Sequence, residues 1–572
     1  MSHRLVVGAV SLSVLVTTAT AVPASGQTGR ATSIGHGLGT EVVVREPDMA
    51  AARYAGTSRT SAVQTDDRQI DFTRDWRFVL VNSTGITDES GEYENAPDPA
   101  YDDSAWRELD LPHDWSIELL PTTGPGTGTS SGTGYLQGGL GWYRKAFTLP
   151  PSTAGKQISI EFDGVYMDSY VYFNGELVGN HPYGYTGFAV DLTNLAHTDG
   201  VTPNVVAVRV QNRLPSSRWY SGSGIYRDVR LVLTDPVHVA RWGTFVTTPD
   251  LESTLASGYA TVRVQTDIAN DADEDESVEI VSTVLDAEQN AVDSGTSTVE
   301  VGGGQTVRDA NDITIDEPRL WSFDDPYRYT LRTELIVGGR TVDASTTRFG
   351  IRYFDLDPTE GFSLNGEYAK IQGVDLHHDL GALGAAINRD ALVRQMSIMK
   401  SMGVNALRTA HNPPAPELVE VCEELGIVMM VEAFDTWSSP KTTFDYARFF
   451  NQWAVSDITE MVNAHKNSPA VIMWSIGNEI RGQTVAAART LVEAIKAVDT
   501  TRPVVWGHDG YRFPPSPTST NGQIAQMLDG VGLNYNTPSR WTPSTTCTRT
   551  SSGSSPSRRR PRRPAATTRT RS

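Results

Sequence analysis

From Trp76 to Leu233 apolar and polar residues alternate in short runs, such as Ile158-Ser159-Ile160-Glu161-Phe162, Ser169-Tyr170-Val171-Tyr172-Phe173 and Val205 to Val210. A period of two is that of strands with one face buried, and Asn174-Gly175 directly after the second run predicts a tight hairpin. Residues 70–235 are therefore expected to form an all-β sandwich or jelly roll. A second alternating set, including Ala260 to Val264, Val278 to Ser282 and Tyr329 to Thr333, supplies about seven strands over residues 236–348 and predicts an immunoglobulin-like β-sandwich. The acidic stretch Asn270 to Glu276 reads as a solvated hairpin tip, with cation binding as the alternative.

From Phe349 the period changes to strands alternating with helices, the pattern of a parallel sheet. Strands are expected at Ile371–His377, Asn405–Thr409, Ile427–Phe434, Ala470–Ile476, Val504–Gly507 and Gly530–Tyr535. Helices between them are expected at Asp390–Met402, Glu417–Leu425, Asp445–His465 and Val485–Ala497. A (β/α)8 TIM barrel has eight such strands; residues 349–543 give about six, an incomplete barrel.

The fourth run, Ala470 to Ile476, is almost wholly apolar and ends in Gly477-Asn478-Glu479. A strand buried on both faces leaves a carboxylate at its C-terminal end facing a pocket or water. Asn478 can donate to a substrate hydroxyl, and Glu479 beside apolar neighbours can retain a proton and act as an acid. Taken alone, the dipeptide fits a helix cap better. The other strand ends gather His377, His378 and Asp379; Arg408 and His411; Glu432, Asp435 and Trp437; and Asn534 and Tyr535. Several polar ends pointing one way are hard to explain as packing. The histidines lack a His-Glu-x-x-His motif, so no metal and no other cofactor is expected, and the absence of a Gly-x-Ser-x-Gly elbow disfavours an esterase. Carboxylates, imidazoles, an amide and aromatic faces fit a carbohydrate.

Composition narrows the setting. The 572-residue chain has a formal charge of -20 and a pI near 5.0, which argues against a nucleic-acid surface. Residues 1–26 combine His3 and Arg4, an apolar run from Leu5 to Val16, and small residues near Ala24, the pattern of a secretory signal peptide and hence of a secreted protein. No run is long enough for a membrane span. Residues 27–69, rich in Ala, Thr, Ser and Gly, read as a flexible leader. With only Cys422 and Cys547 there is no disulfide framework, and Cys422 falls on the inner face of a helical pattern as a packed thiol. Oligomeric state is not legible.

The chain resembles glycoside hydrolase family 2, the family of β-galactosidases, β-glucuronidases and β-mannosidases. The resemblance runs from about Trp76 to Asn536 through Leu111-Pro112-His113-Asp114-Trp115, Gly141-Trp142-Tyr143-Arg144, Trp219 to Val229, Phe349-Gly350-Ile351-Arg352, Leu364-Asn365-Gly366 and Gly477-Asn478-Glu479. It implies a sugar-binding jelly roll, an immunoglobulin-like domain and a catalytic barrel, in that order. It also implies a retaining mechanism with two glutamates, in which Glu479 matches the acid/base. Asn478 matches the neighbour that touches the sugar 2-hydroxyl, His377 and His411 the sugar-binding histidines, and Tyr535 the tyrosine near the nucleophile. Arg408, Asp435 and Trp437 join them as candidate substrate contacts. The wording around Asp375 to Gly384 and Glu432 to Trp437 is most similar to the β-galactosidase branch, with β-glucuronidase as the alternative and a non-catalytic carbohydrate-binding protein as the other class.

One departure stands out. The family's nucleophile glutamate belongs after strand six, yet no Glu follows Glu493. Residues 544–572 contain no Asp, Glu, Leu, Ile, Val, Phe or Tyr and hold the basic run Arg558 to Pro564. A disordered basic tail or a polyanion-binding segment fits this composition. Out-of-frame sequence fits better, because Ser, Thr, Pro, Ala and Arg dominate where a barrel would continue. On that reading the nucleophile is absent and the chain does not turn over.

Overall fold

The computed structural model describes residues 5–7, 61–62, 68–123, 128–509 and 516–535. Most of the expected signal segment and leader, and all of the tail 544–572, lie outside the described residues.

The alternating runs form two packed sheets. One orders Glu176–His181, Ser169–Phe173, Asn204–Asn212, Gly139–Thr148, Trp76–Asn82 and Arg107–Leu109; the other orders Phe188–Asp191, Gln157–Phe162, Val229–Thr234 and Gln69–Asp71. Ser169–Phe173 buries alternate residues, and Asn174 and Gly175 both take positive φ in the turn to its partner, as a two-residue hairpin requires. The core between the sheets holds Trp76, Trp115, Phe147, Phe162 and Phe173.

The next module packs a three-stranded sheet (Val237–Thr247, Tyr259–Asn270, Gln305–Asp316) on a four-stranded one (Ala291–Val301, Glu276–Leu285, Tyr329–Val337, Arg340–Phe349). Tyr259–Asn270 and Glu276–Leu285 lie in different sheets, so the acidic stretch between them is a crossover rather than a hairpin tip. A small antiparallel sheet at Phe354–Asp357, Gly361–Leu364 and Glu367–Tyr368, not foreseen from the pattern, leads into the barrel.

Six parallel strands follow in sequential order: Gly373–Leu376, Ala406–Thr409, Val428–Glu432, Val471–Asn478, Val504–His508 and Gly530–Leu533, numbered barrel strands one to six below. The helices Arg389–Ser401, Pro416–Leu425, Phe450–His465, Val485–Val498 and Thr520–Ala525 lie between them. The expected long helix from Asp445 instead begins with a 3₁₀ turn, Tyr446–Arg448, capped by the Asp445 side chain. Pro416 opens its helix and Gly426 closes it in the left-handed conformation, the arrangement each residue's backbone favours. Cys422 is fully buried on that helix. Every residue of Val471–Asn478 is buried, as a strand covered on both faces demands. Beyond strand six, Leu5–Val7 pairs in parallel with Gly530–Gly532. The sheet is thus a partial barrel, and among the described residues no helix is long and apolar enough to cross a membrane.

Candidate active site

The C-terminal ends of barrel strands two, three and four meet around Glu432. Its carboxylate is fully buried and accepts from Arg408 Nη2 at 2.9 and 3.1 Å, from Ser475 Oγ at 2.7 Å and lies 2.7 Å from His411 Nδ1. Burial alone raises a carboxyl pKa; here Arg408 and His411 outweigh it and hold Glu432 at about 2. Arg408 also donates to Asn478 Oδ1 at 3.0 Å. Asn534 Nδ2, just after strand six, reaches the same oxygen at 3.1 Å and Glu479 Oε1 at 2.9 Å.

Glu479 sits at the rim of this floor with φ of 46°, a left-handed backbone that a non-glycine residue adopts at some cost. Its N–H donates to the Gly507 carbonyl at 2.8 Å, and Tyr535 hydrogen-bonds its side chain. Its hydrogen bonds thus come from barrel strand five and from the residue just after strand six, beside the buried Ile480. Asn478 is 1 % exposed and its Nδ2 donates to Asp435 Oδ1 at 3.1 Å, so the amide is engaged at both ends and acts here as a post beneath Glu479. Arg408 is likewise tied into the floor, 6 % exposed.

Two candidates take places that the sequence did not suggest. Trp437 is buried at 1 % exposure, donates Nε1–H to the Ile476 carbonyl at 3.0 Å and stacks on Phe450 and Trp506. This corrects its expected role as a substrate contact, since the ring is buried against core aromatics and has no surface left for a sugar. Asp435 is bound by Arg218 and Lys441, which outweigh its burial and bring its pKa to about 2.

The remaining wall comes from the jelly roll, through a loop that sequence reasoning did not assign to the site. Trp219 lies 4.5 Å from the His377 ring and 5.8 Å from the His411 ring, centroid to centroid. Burial, with His411 nearby, lowers the His377 pKa and keeps that ring neutral. Among the described residues neither Trp219 Nε1 nor His377 Nδ1 has a hydrogen-bond partner. Tyr220 donates to Asp114, whose carboxylate also accepts the Ala385 and Ser223 N–H groups. His378, listed with the strand ends by sequence, lies 3.1 Å from the Ser221 carbonyl. Gly222, at φ of 71°, lets the segment at Ala385 close on this loop, because a Cβ there would meet Ala385 Cβ at 2.5 Å. Arg227 donates to the Pro413 and Pro414 carbonyls at 3.0 and 3.1 Å, fixing the loop that carries His411. The signal for this wall was the Trp219 to Val229 motif itself, quoted for resemblance but not read as part of a site. Among the described residues no group of three or more His, Cys, Asp or Glu side chains is placed to hold a metal ion.

Three family models match successive parts of the chain: glycosyl hydrolases family 2, sugar binding domain, over residues 134–236, glycosyl hydrolases family 2 over 237–352 and glycosyl hydrolases family 2, TIM barrel domain, over 358–543. A β-galactosidase of Bacteroides ovatus, BoGH2A, is 41% identical over 517 residues, covering 84% of this chain and 58% of the relative. A β-glucuronidase of Bacteroides fragilis is 28% identical over 417 residues, covering 69% of this chain and 57% of its own length. Among solved structures, a family 2 member from Bacteroides cellulosilyticus superposes with a TM-score of 0.75 at 36% identity, covering 82% of this chain and 59% of that one. The chain thus spans a little over half the length of these relatives. With all three domain models matched in order and the same layered architecture in the solved relative, the chain belongs to glycoside hydrolase family 2.

Proposed function

We propose that the chain carries the acid/base half of a retaining glycosidase site for terminal β-D-galactosides. The observation that supports it most is Glu479 at the open end of a buried parallel strand, one oxygen held by Asn534 and the residue before it braced by Arg408 and Asp435. A carboxyl group so held can protonate a departing glycosidic oxygen. His377 and His411, flanking Trp219, are proposed to bind sugar hydroxyls, with Tyr535 at the rim. Arg408 and Asp435 position Asn478 and Glu479 rather than touching the sugar. The galactoside preference follows the similarity to the Bacteroides ovatus β-galactosidase; the β-glucuronidase among the relatives supports a glucuronide as the second reading.

Retention needs a second carboxylate about 5 to 5.5 Å from the first. No Glu follows Glu493, and both oxygens of Glu432 are already occupied. The expected outcome for the purified 572-residue protein is saturable binding of an aryl β-galactoside without release of the aryl alcohol. Hydrolysis that Glu479→Gln abolishes would refute the lack of turnover while keeping the site; no binding of any aryl glycoside would sink the glycosidase reading itself. Export through residues 1–26 is part of the proposal, and N-terminal sequencing of protein recovered from the culture medium tests it.

A further inference from the structure

Barrel and jelly roll together set two cations on one carboxylate. Asp435 accepts from Arg218 Nε at 2.9 Å and Nη2 at 2.5 Å, from Lys441 Nζ at 2.8 Å and from Asn478 Nδ2 at 3.1 Å. The Lys441 side chain is 4% exposed, and its other bond, 2.8 Å long, goes to the Asn478 carbonyl. That buried ammonium already balances Asp435, so the charge of Arg218 is surplus. The Arg218 side chain is 39% exposed, lies over the Trp219 ring at 5.4 Å, and leaves Nη1 without a partner among the described residues. A guanidinium fixed by two of its donors presents the remaining ones in a set direction, with little entropy left to lose on binding.

The neighbouring acidic groups do not remove this surplus. Asp509 lies beside His508 at 3.1 Å and Asp375 beside Arg408 at 3.5 Å, and neither is bonded to Arg218 among the described residues. Glu479, next in sequence to Asn478, must be protonated to serve as the acid. In that state Arg218, Lys441 and Asp435 hold one unbalanced positive charge at the edge of the site.

The geometry points to Arg218 as a specificity-determining residue that binds an anionic group of the substrate, a carboxylate or sulfate, beside the acid carboxyl. This inference rests on the glycosidase reading above. Two carriers fit the chemistry: a uronic acid as the sugar cleaved, or an acidic aglycone on a galactoside.

Calorimetric titration of the full chain with phenyl β-D-galactoside, 4-carboxyphenyl β-D-galactoside and phenyl β-D-glucuronide separates the carriers. One of the two carboxylates is expected to bind about tenfold more tightly than the neutral parent. That advantage should vanish in Arg218→Ala, survive in part in Arg218→Lys and shrink in high salt. The readout is the ratio of carboxylate to neutral-parent affinity within each protein, so that any general loss of binding in Arg218→Ala cancels, and an unchanged circular dichroism spectrum and urea midpoint show that the variant is folded. Binding of the parent with no carboxylate advantage, or an advantage that persists in Arg218→Ala, overturns the inference and leaves the glycosidase reading standing. Failure of all three ligands to bind wild type overturns both.

Discussion

Barrel strands two to four and barrel strand six end in the same polar rim but are held differently. The inner three are paired on both sides, and their terminal side chains bond to one another, Arg408 to Glu432 and Asn478, and Ser475 to Glu432. Gly530–Leu533 pairs inward only at Gly507 with Gly532 and at His508 with Leu533, and its outer partner, Leu5–Val7, belongs to the segment proposed above as an export signal, whose removal would leave that edge unpaired. Tyr535 beyond it is 73% exposed. The difference teaches that a strand end becomes a rigid platform when both neighbouring strands lock its side chains, not by lying at the mouth of a barrel. Glu479 stands on the border, braced by Asn478 from the inner side and by Asn534 from the outer.

The sharpest way to break the comparison is to unpair the inner floor. Arg408→Met leaves the Glu432 charge buried without its main partner, and loss of one member of a buried pair typically costs about 3–5 kcal/mol. Because three domains need not unfold together, the check is a lowered urea midpoint accompanied by faster amide exchange over residues 428–432 and 471–478. Unchanged exchange there would show that the floor is not what holds these strands. A smaller effect comes from pH. Glu432 titrates near 2 in the fold against an ordinary 4.5, so its stabilisation is complete above about pH 4.5 and is lost as pH falls toward 2; Glu432→Gln should flatten stability over that interval. Smaller again is Asn534→Ala. It removes hydrogen bonds to Asn478 and Glu479 and should cost about 1–2 kcal/mol, read as faster exchange at 504–508 and 530–533 with little change over 428–432.

Most of the barrel was legible because its strands announce themselves. Val471–Asn478 is a continuous apolar run ended by Gly477, and Ala406–Thr409, Val428–Glu432 and Val504–His508 are short runs between clear helices. Glu479, His377 and His411 are candidates for the same reason, each following such a run. What stayed hidden depends on contacts between distant segments. Arg218 meets Asp435 across 217 positions, and nothing local in a jelly-roll loop reveals which barrel rim it will cover. Trp437 misled for a related reason: an aromatic just past a strand end looks open until Phe450 and Trp506, from a helix and another strand, close over it. The crossover at Asp271 to Asp275 was misjudged because alternation gives strands but not their partners.

The smallest expected effect sharpens the border between the two regions. The Tyr535 pKa is raised first by its hydrogen bond to Glu479 and then by partial burial. Since the ring is largely in solvent, Tyr535→Phe should change stability by no more than about 0.5 kcal/mol, too little for a denaturation curve to resolve with certainty. Titration is the better probe. Glu479→Gln removes the negative charge that resists ionisation of the phenol, so one tyrosine should ionise at lower pH than in wild type, seen as a difference in ultraviolet absorbance that Tyr535→Phe eliminates. If the difference is absent while the inner floor is intact, Tyr535 does not rest on Glu479 in solution. The acid carboxyl would then be held from the inner strands and Asn534 alone, and the border of the rigid region would lie one residue closer to the core.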